Sequence, residues 1–409
     1  MQNKPNLSKY YSRAANFVKL TRFAVILVFI FFLLSCILVF RDDITLDNVQ
    51  YLMKYADFYD SSLAADNAEI SISADSESHM LTIRDNLAVV SRSGIGLYEF
   101  SGHKLFNYAF SYSSPAAVHD DRNILVYDIK GTGLSIFNSF SRIFTQEYPY
   151  GVKTACINPA GFAVVTGESS YRSVAIAYNG KYEEIFRWEC ADRYITSIDL
   201  SEDASKLLCS AVNSSDGVYD TQVVIYDTHS GKVLFEKSIT DELALKVSFS
   251  KDDDSIFVLT DSMMYFLNSS LEEKSSYKYN QSKCEDFFVN DEMIVITESN
   301  NLSGNSMEII GFDYSGNKLF SENADSKVTD VSIGKEHIFA LSPQCVYVYS
   351  INENMSLSLK DKILTNTNYT YILSDSSERF VLANTKKAVR FSSDSEEKKG
   401  ETSEDTDNR

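Results

Sequence analysis

The sequence is poor in the residue types on which most catalytic, metal-binding and disulfide-rich proteins depend. Its 409 residues include six Cys, five His and one Trp. Six Cys in a chain of this length do not make a disulfide scaffold. The five His form no H-E-x-x-H motif and no pair at metal-ligand spacing, and no G-x-S-x-G turn or glycine-rich phosphate loop occurs. The sequence therefore predicts no cofactor, no metal site and no catalytic residues.

Basic residues are also scarce, and they are unevenly placed. Lys and Arg total 38 against 57 Asp and Glu, a net charge of −19, which argues against nucleic-acid binding. Residues 1–22 carry five basic and no acidic residues, a net charge of +5, and residues 23–40 carry no charge. Residues 41–409 therefore carry −24, the balance between the total of −19 and the N-terminal +5.

The uncharged stretch Phe23–Phe40 is apolar on every side, unlike an amphipathic core helix. With Leu20 and Thr21 it approaches the roughly 20 residues that span a bilayer. It predicts one N-terminal transmembrane helix that acts as a signal anchor. The basic segment 1–22 then lies in the cytoplasm, and everything after Arg41 lies outside the cell.

Two other interpretations of this stretch remain open. A cleaved signal peptide is disfavoured, because no small-x-small site follows the apolar run. Leu33-Leu34-Ser35-Cys36 resembles a lipobox, in which Cys36 would be lipidated, but four more large apolar residues follow it. The favoured interpretation is that Cys36 is a small apolar residue within the membrane helix.

The segments that flank the central part of the chain differ from it in composition. Residues 41–67 predict an extracellular stem that is part helical, since Thr45 can cap a helix and Leu46, Val49 and Leu52 then share one face. Residues 393–409 contain seven acidic and three basic residues and no large apolar one, which predicts a disordered acidic tail.

Between these segments, residues 68–392 consist of short alternating strands, and one hairpin repeats. Leu97–Phe106 matches Gly311–Phe320, Ile225–Phe235 is the same with one residue added, and Ala177–Phe186 is a weaker copy. We expect the Gly of each copy to supply the positive φ that the turn requires. Degenerate copies near Ser139, Asn268 and Asn354 complete a series with steps of about 40–50 residues.

A four-stranded unit of this period is typical of a propeller blade, so the fold class predicted is an all-β β-propeller of the WD40 or YVTN type. Seven complete blades are predicted at 78–110, 115–149, 152–188, 194–239, 243–279, 284–322 and 327–362. The last piece, 368–392, has only three strands, and Ala68–Ala74 can supply the fourth and close the ring. We therefore expect eight four-stranded blades, with seven as the alternative.

The cysteines outside the apolar stretch are widely spaced and mostly lie in predicted strands. They are Cys156, Cys190, Cys209, Cys284 and Cys345. The favoured interpretation is a set of buried free thiols. A bridge from Cys190 to Cys156 or Cys209 is the alternative.

Several segments resemble an uncharacterised family of clostridial envelope proteins. They are Pro115 through Asn123–Asp128, Gly161–Thr166 with Ser170–Arg172, and Ile198–Ser201. The resemblance covers most of the chain and implies a single-pass membrane protein with a propeller-like ectodomain. No activity is known for the family, so the resemblance implies no catalytic residues.

A partner-binding face is predicted from the loops that share one side of a propeller. Candidate loops are Gly167–Arg172, Asn213–Asp220, Asn300–Asn305 and the connection Trp188–Arg193. Aromatic and Arg residues anchor most interfaces, which selects Tyr171, Arg172, Trp188, Arg193, Tyr219 and Asp220. The alternative is that Tyr171 and Tyr219 pack beneath their own loops.

Three functions follow from this pattern. The favoured one is a non-enzymatic binding scaffold in the cell envelope, with an unidentified protein or envelope component as partner. The others are an extracellular enzyme whose site lies at the propeller channel, and a sensor that passes ligand occupancy through the membrane helix to a partner protein.

Overall fold

The computed structural model describes residues 7–39, 69–84, 86–280, 284–290, 292–299, 306–352, 357–365, 367–375 and 379–392. The chain divides into two compact units, Met1–Ser62 and Leu63–Arg409. The predicted stem helix, the acidic tail and the loop Asn300–Asn305 lie outside the described residues.

The described residues of the first unit form one helix, α1 (Leu7–Val39). Its side chains are described for residues 16–32, and the large apolar ones among them, such as Phe23 and Phe31, are exposed. Among the residues that the structure describes, no helix combines the length and the apolarity needed to cross a membrane.

The second unit is a β-propeller, and its described residues form eight four-stranded antiparallel sheets. The strands of blades one to four are β2 (His79–Ile83), β3 (Asn86–Ser91), β4 (Gly94–Glu99), β5 (Lys104–Ala109); β6 (Pro115–His119), β7 (Ile124–Asp128), β8 (Gly133–Phe137), β9 (Arg142–Glu147); β10 (Val152–Asn158), β11 (Gly161–Thr166), β12 (Ser173–Asn179), β13 (Glu184–Cys190); β14 (Tyr194–Leu200), β15 (Lys206–Ser215), β16 (Val218–Asp227) and β17 (Val233–Thr240). The strands of blades five to eight are β18 (Ala244–Phe249), β19 (Ser255–Thr260), β20 (Met263–Asn268), β21 (Glu273–Lys278); β22 (Asp286–Val289), β23 (Met293–Ser299), β24 (Met307–Asp313), β25 (Lys318–Ala324); β26 (Asp330–Ile333), β27 (His337–Leu341), β28 (Cys345–Ile351), β29 (Leu357–Leu364); β30 (Tyr371–Ser374), β31 (Arg379–Ala383), β32 (Lys387–Ser392) and β1 (Glu69–Ser71).

The ring closes through its N-terminal strand, as the sequence predicts. Strand β1 pairs antiparallel with β32 and becomes the outermost strand of blade eight. Backbone bonds from Ile72 and Ala74 to the turn before β32 continue this pairing over the predicted Ala68–Ala74 segment. The prediction of eight blades is therefore confirmed, and the alternative of seven is wrong.

Burial falls from the inside of each blade to its rim. The second strands β3, β11, β19 and β23 are buried at every described position, because both faces pack against neighbouring blades. The outermost strands alternate between exposed and partly buried residues, as β5 and β9 show. The core is therefore a series of apolar clusters, most of which join two adjacent blades.

The repeated turn has the positive φ that the sequence predicts in three of its copies. Gly102, Gly231 and Gly316 have φ of 87°, 71° and 83°. The expectation is wrong for Gly180, because in that turn Tyr182 has a φ of 65°. Tyr182 donates its backbone N–H to the carbonyl of Asn179 three residues earlier, as Gly316 does to Asp313, so Tyr182 occupies the equivalent position.

The five described cysteines are free thiols. Four of them, Cys156, Cys190, Cys209 and Cys345, are buried, which confirms the favoured interpretation for these, whereas Cys284 is only partly buried. Burial raises the pKa of the Cys284 thiol to about 12 and that of the Cys209 thiol above its usual range. Bridges from Cys190 to Cys156 or Cys209 are absent from this described set.

Candidate functional site

Strand polarity defines two faces of the ring. The connection face is the side where the second strand of a blade turns into the third and the fourth leads to the next blade, as at 167–172 and 191–193. The turn face carries the repeated hairpin turns at Gly102, Gly231 and Gly316. Strand β1 begins and strand β32 ends on the turn face, so the chain joins the ring opposite to the connection face.

The predicted residues Arg193 and Asp220 meet on the connection face. Arg193 lies in the connection between blades three and four, and Asp220 lies on the hairpin formed by β15 and β16. Arg193 donates from Nη1 to the Asp220 carbonyl at 2.7 Å and from Nη2 to Asp220 Oδ2 at 2.6 Å. Only 16% of the Arg193 side chain is exposed, so this two-point contact fixes the guanidinium against the hairpin.

Beside this pair, Tyr194 presents its ring to solvent, and two cations lie near the ring. It is 51% exposed, with Lys153 Nζ 5.1 Å and Arg172 Cζ 5.3 Å from its ring centroid. Both are within the range of cation–π attraction. Lys153 Nζ also donates to the Arg172 carbonyl at 2.5 Å and to Ser173 Oγ at 2.7 Å. Burial lowers the pKa of the Lys153 ammonium.

Arg172 ties this cluster to blade four. Its Nη1 donates to Asn213 Oδ1 at 3.1 Å, and Asn213 lies near the end of β15. The structure thus joins Arg193 to Asp220 and places Arg172 near the ring of the adjacent Tyr194. Tyr194 escaped the sequence prediction, although an aromatic residue directly after the polar connection Asp192-Arg193 is the signal that could have identified it.

The other three predicted residues lie farther from this centre or deeper in the fold. Tyr219 is 41% exposed on the β15–β16 hairpin. Tyr171 is partly buried against the core between blades two and three, and a hydrogen bond to Glu189 raises its hydroxyl pKa. Trp188 packs between blades three and four, with its ring centroid 5.0 Å from that of Tyr226. The alternative of packing beneath the loop therefore fits Tyr171 and does not fit Tyr219.

A shallow groove crosses blade seven on the same face. Its two recesses, of about 360 and 230 Å³, share Pro343. The larger one contains Lys362, whose Nζ lies 4.9 Å from the Tyr347 ring centroid and 3.6 Å from Asp325 Oδ2. The described residues contain no group of three His, Cys, Asp or Glu placed to hold a metal ion.

Solved structures resemble the propeller in fold. The computationally designed protein Ika8 matches with a TM-score of 0.59 and 10% identity, over 80% of this chain and 97% of that chain. The C-terminal WD40 domain of Sif2 matches with a TM-score of 0.56 and 11% identity, with the same coverage of both chains. BamB from Moraxella catarrhalis matches with a TM-score of 0.52 and 13% identity, again over 80% and 97%. At these identities the likeness establishes the fold alone.

Sequence comparison gives the family. No curated protein matches the chain significantly. A family of unknown function, DUF5711, matches residues 59–390, which include all the propeller strands except the last two residues of β32. The resemblance to an uncharacterised family is thereby confirmed in its coarse form. The chain belongs to this family of unknown function, DUF5711.

Proposed function

We propose that this protein is a non-enzymatic binding scaffold of the cell envelope, which holds a protein partner on the connection face of its propeller. The observation that carries the proposal is the exposed Tyr194 ring, which lies near the cations of Lys153 and Arg172 and next to the fixed Arg193–Asp220 pair. Aromatic and Arg side chains on rigid elements are the usual energetic centres of protein interfaces. Because these side chains are already held in place, they lose little conformational entropy when a partner binds.

Tyr194 and the neighbouring exposed residues make a surface that suits a partner with both apolar and acidic groups. Val218, Tyr219 and Leu245 expose apolar area on the same side of blades four and five. The charged groups of Lys153 and Arg172 lie beside the Tyr194 ring and can bind a carboxylate. Most residues of this surface lie at the beginnings of strands, whose backbone is held rigid by the propeller.

Site-specific photo-crosslinking in intact cells tests this proposal. A photo-reactive phenylalanine at Tyr219 is expected to capture a defined protein, whereas the same group at His103, exposed on the turn face, captures none. Tyr194→Ala is expected to reduce capture from position 219 at least tenfold, about 1.4 kcal/mol or more. Tyr194→Phe keeps the ring near the two cations and is expected to retain capture.

Two outcomes would contradict this proposal. The first is equal capture from the two faces. The second is capture from position 219 that Tyr194→Ala leaves unchanged. Trp188→Ala serves as a further control. Because Trp188 packs between blades, its replacement is expected to lower stability without changing capture by the protein that still folds.

The proposal also includes a membrane anchor at Phe23–Phe40, with residues 1–22 in the cytoplasm and the propeller outside. Its support is the charge pattern, +5 before an uncharged apolar stretch and −24 after it, together with the exposed apolar side chains of α1. The acidic body would be repelled by anionic lipid, which suits a domain held away from the membrane.

Alkaline extraction of membranes tests the anchor. The full chain is expected to stay in the membrane pellet, and Val28→Arg with Phe31→Arg is expected to release it, since each central Arg costs about 2.5–3.5 kcal/mol. Ser12→Arg, outside the apolar stretch, is the matched control. With Cys284 replaced by Ser, a membrane-impermeant thiol reagent should label His103→Cys in intact cells and Ser12→Cys only after permeabilisation. Release of the unaltered chain, or the opposite labelling, would disprove the anchor or its orientation.

A further inference from the structure

Strand β17, the outermost strand of blade four, exposes an unusual apolar segment. Five consecutive residues, Lys232 through Glu236, are exposed. The central three are apolar, with Val233, Leu234 and Phe235 exposed by 49%, 39% and 40%. A strand normally turns alternate side chains inward, so a continuous exposed run marks a segment that the blade itself does not cover.

In blades one, two and six the corresponding residues are covered, whereas Leu359 at the start of the outer strand of blade seven is 53% exposed. The same position of the repeat holds Leu105-Phe106, Ile143-Phe144 and Leu319-Phe320, and each of these side chains is partly or fully buried. In the next blade, Leu271 takes the positive φ of the turn, at 63°, and its side chain packs in the core between blades four and five. Leu271 is 3% exposed and packs with Leu208 and Ile225, whereas Phe235 stays outside this cluster.

The free side of β17 is available to another strand. Among the described strands, β17 pairs only with β16, and at eight residues it is longer than most outer strands. A bulge at Leu234, between the Tyr226–Val233 and Ile225–Phe235 pairs, re-aims side chains at the beginning of the strand. Natural proteins usually protect such edges with charge, Pro or a bulge; here the bulge lies at Leu234 and the charges lie only at the ends of the apolar segment.

We propose that this segment is the contact between two copies of the chain. Two β17 strands that run antiparallel about a two-fold axis through Leu234 place Val233 opposite Phe235 of the second copy. The same register places Lys232 opposite Glu236 twice, once on each side of the axis. Residues 232–236 are thus self-complementary in both apolar character and charge, as an isologous interface requires. Opposite charges across an antiparallel pair are favourable, and like charges are unfavourable.

Charge exchange in the full-length protein tests this register. The purified chain, in detergent micelles, is expected to show a concentration-dependent dimer by sedimentation and light scattering. In the Lys232→Glu variant, residue 232 of one copy faces Glu236 of the other with a like charge. In the Glu236→Lys variant, residue 236 faces Lys232 with a like charge. Each variant is therefore expected to weaken dimerisation at least tenfold. The double variant K232E/E236K restores both pairs and is expected to dimerise like the unaltered chain.

A mixing experiment gives the sharpest readout. The K232E chain and the E236K chain, each weakly associating alone, are expected to form a heterodimer when mixed, because every facing charge pair is then opposite in sign. Lys104→Glu, at the equivalent turn of blade one, is the matched control and leaves association unchanged. A monomer at all concentrations, a dimer that neither single variant weakens, or a mixture of the two variants that does not restore association overturns the proposal. These results are independent of capture on the connection face.

Discussion

Ile70→Ala is expected to lower the free energy of unfolding by about 3 kcal/mol, within the usual 2–5 kcal/mol for a buried Ile replaced by Ala. Ile70 is fully buried in the three-residue strand β1. It packs in a cluster that contains Val381 of blade eight and Leu87 and Val89 of blade one. The loss therefore acts at the only place where the ring is closed by distant parts of the chain, so the substitution weakens both blades.

The neighbouring Glu69 provides the matched control. Glu69 pairs with Lys387 at 2.9 Å, but its side chain is 55% exposed. An exposed ion pair contributes less than about 1 kcal/mol, so Glu69→Ala is expected to have little effect. Denaturant unfolding of the two variants, followed by intrinsic fluorescence and far-UV circular dichroism, measures the difference. Equal losses for the two substitutions, or a negligible loss for Ile70→Ala, would show that β1 does not close the ring.

The strand that Ile70 occupies also illustrates how much of the fold the sequence predicts. Hairpin copies at a period of 40–50 residues gave the blade number, because each copy needs the same turn geometry. The closing strand followed by elimination, since 368–392 holds three strands and a propeller blade requires four. Both predictions used local patterns that repeat along the chain, and repetition compensates for the weakness of any single pattern.

The details that the sequence did not predict depend on contacts between blades. Tyr182 and Leu271 adopt positive φ without being Gly, because the rest of each turn fixes the backbone and their side chains have tertiary contacts. Nothing in the hairpin pattern distinguishes the exposed Phe235 from the partly buried Phe106.

The candidate site was predicted only in part, because it too depends on contacts between strands and blades. Arg193 and Asp220 were selected as loop residues on one face, and the structure joins them directly. Trp188 was selected by residue type, but in an outer strand the direction of a side chain depends on the register, and the register turns it towards Tyr226. Tyr194 was missed because it belongs to the beginning of a strand, not to a loop.

Protonation of Asp330 is expected to make the propeller more stable as the pH falls from about 7 to about 4. Asp330 lies on the innermost strand of blade seven, and its Oδ2 accepts the backbone N–H of Ile372 in blade eight at 2.8 Å. Its Oδ1 accepts the backbone N–H of the neighbouring Val331 at 2.9 Å. Burial, with a smaller contribution from the charge of Asp286, outweighs these bonds and raises the pKa of the Asp330 carboxyl from 3.8 to about 7.

The sign of the effect follows from proton binding. Between pH 4 and 7 the folded chain holds a proton on Asp330 that the unfolded chain releases, so the contribution of Asp330 to the free energy of unfolding decreases as pH rises through this window and is level above it. The full change is on the order of 2–4 kcal/mol. Asp330→Asn stays neutral and is expected to remove the part of the slope that Asp330 contributes, so that its stability relative to the unaltered chain is higher at pH 8 than at pH 5. Asp361→Asn, an exposed carboxylate on β29, changes the net charge equally and should leave the slope intact. Parallel pH profiles for Asp330→Asn and the unaltered chain would show that the carboxylate stays ionised within the ring.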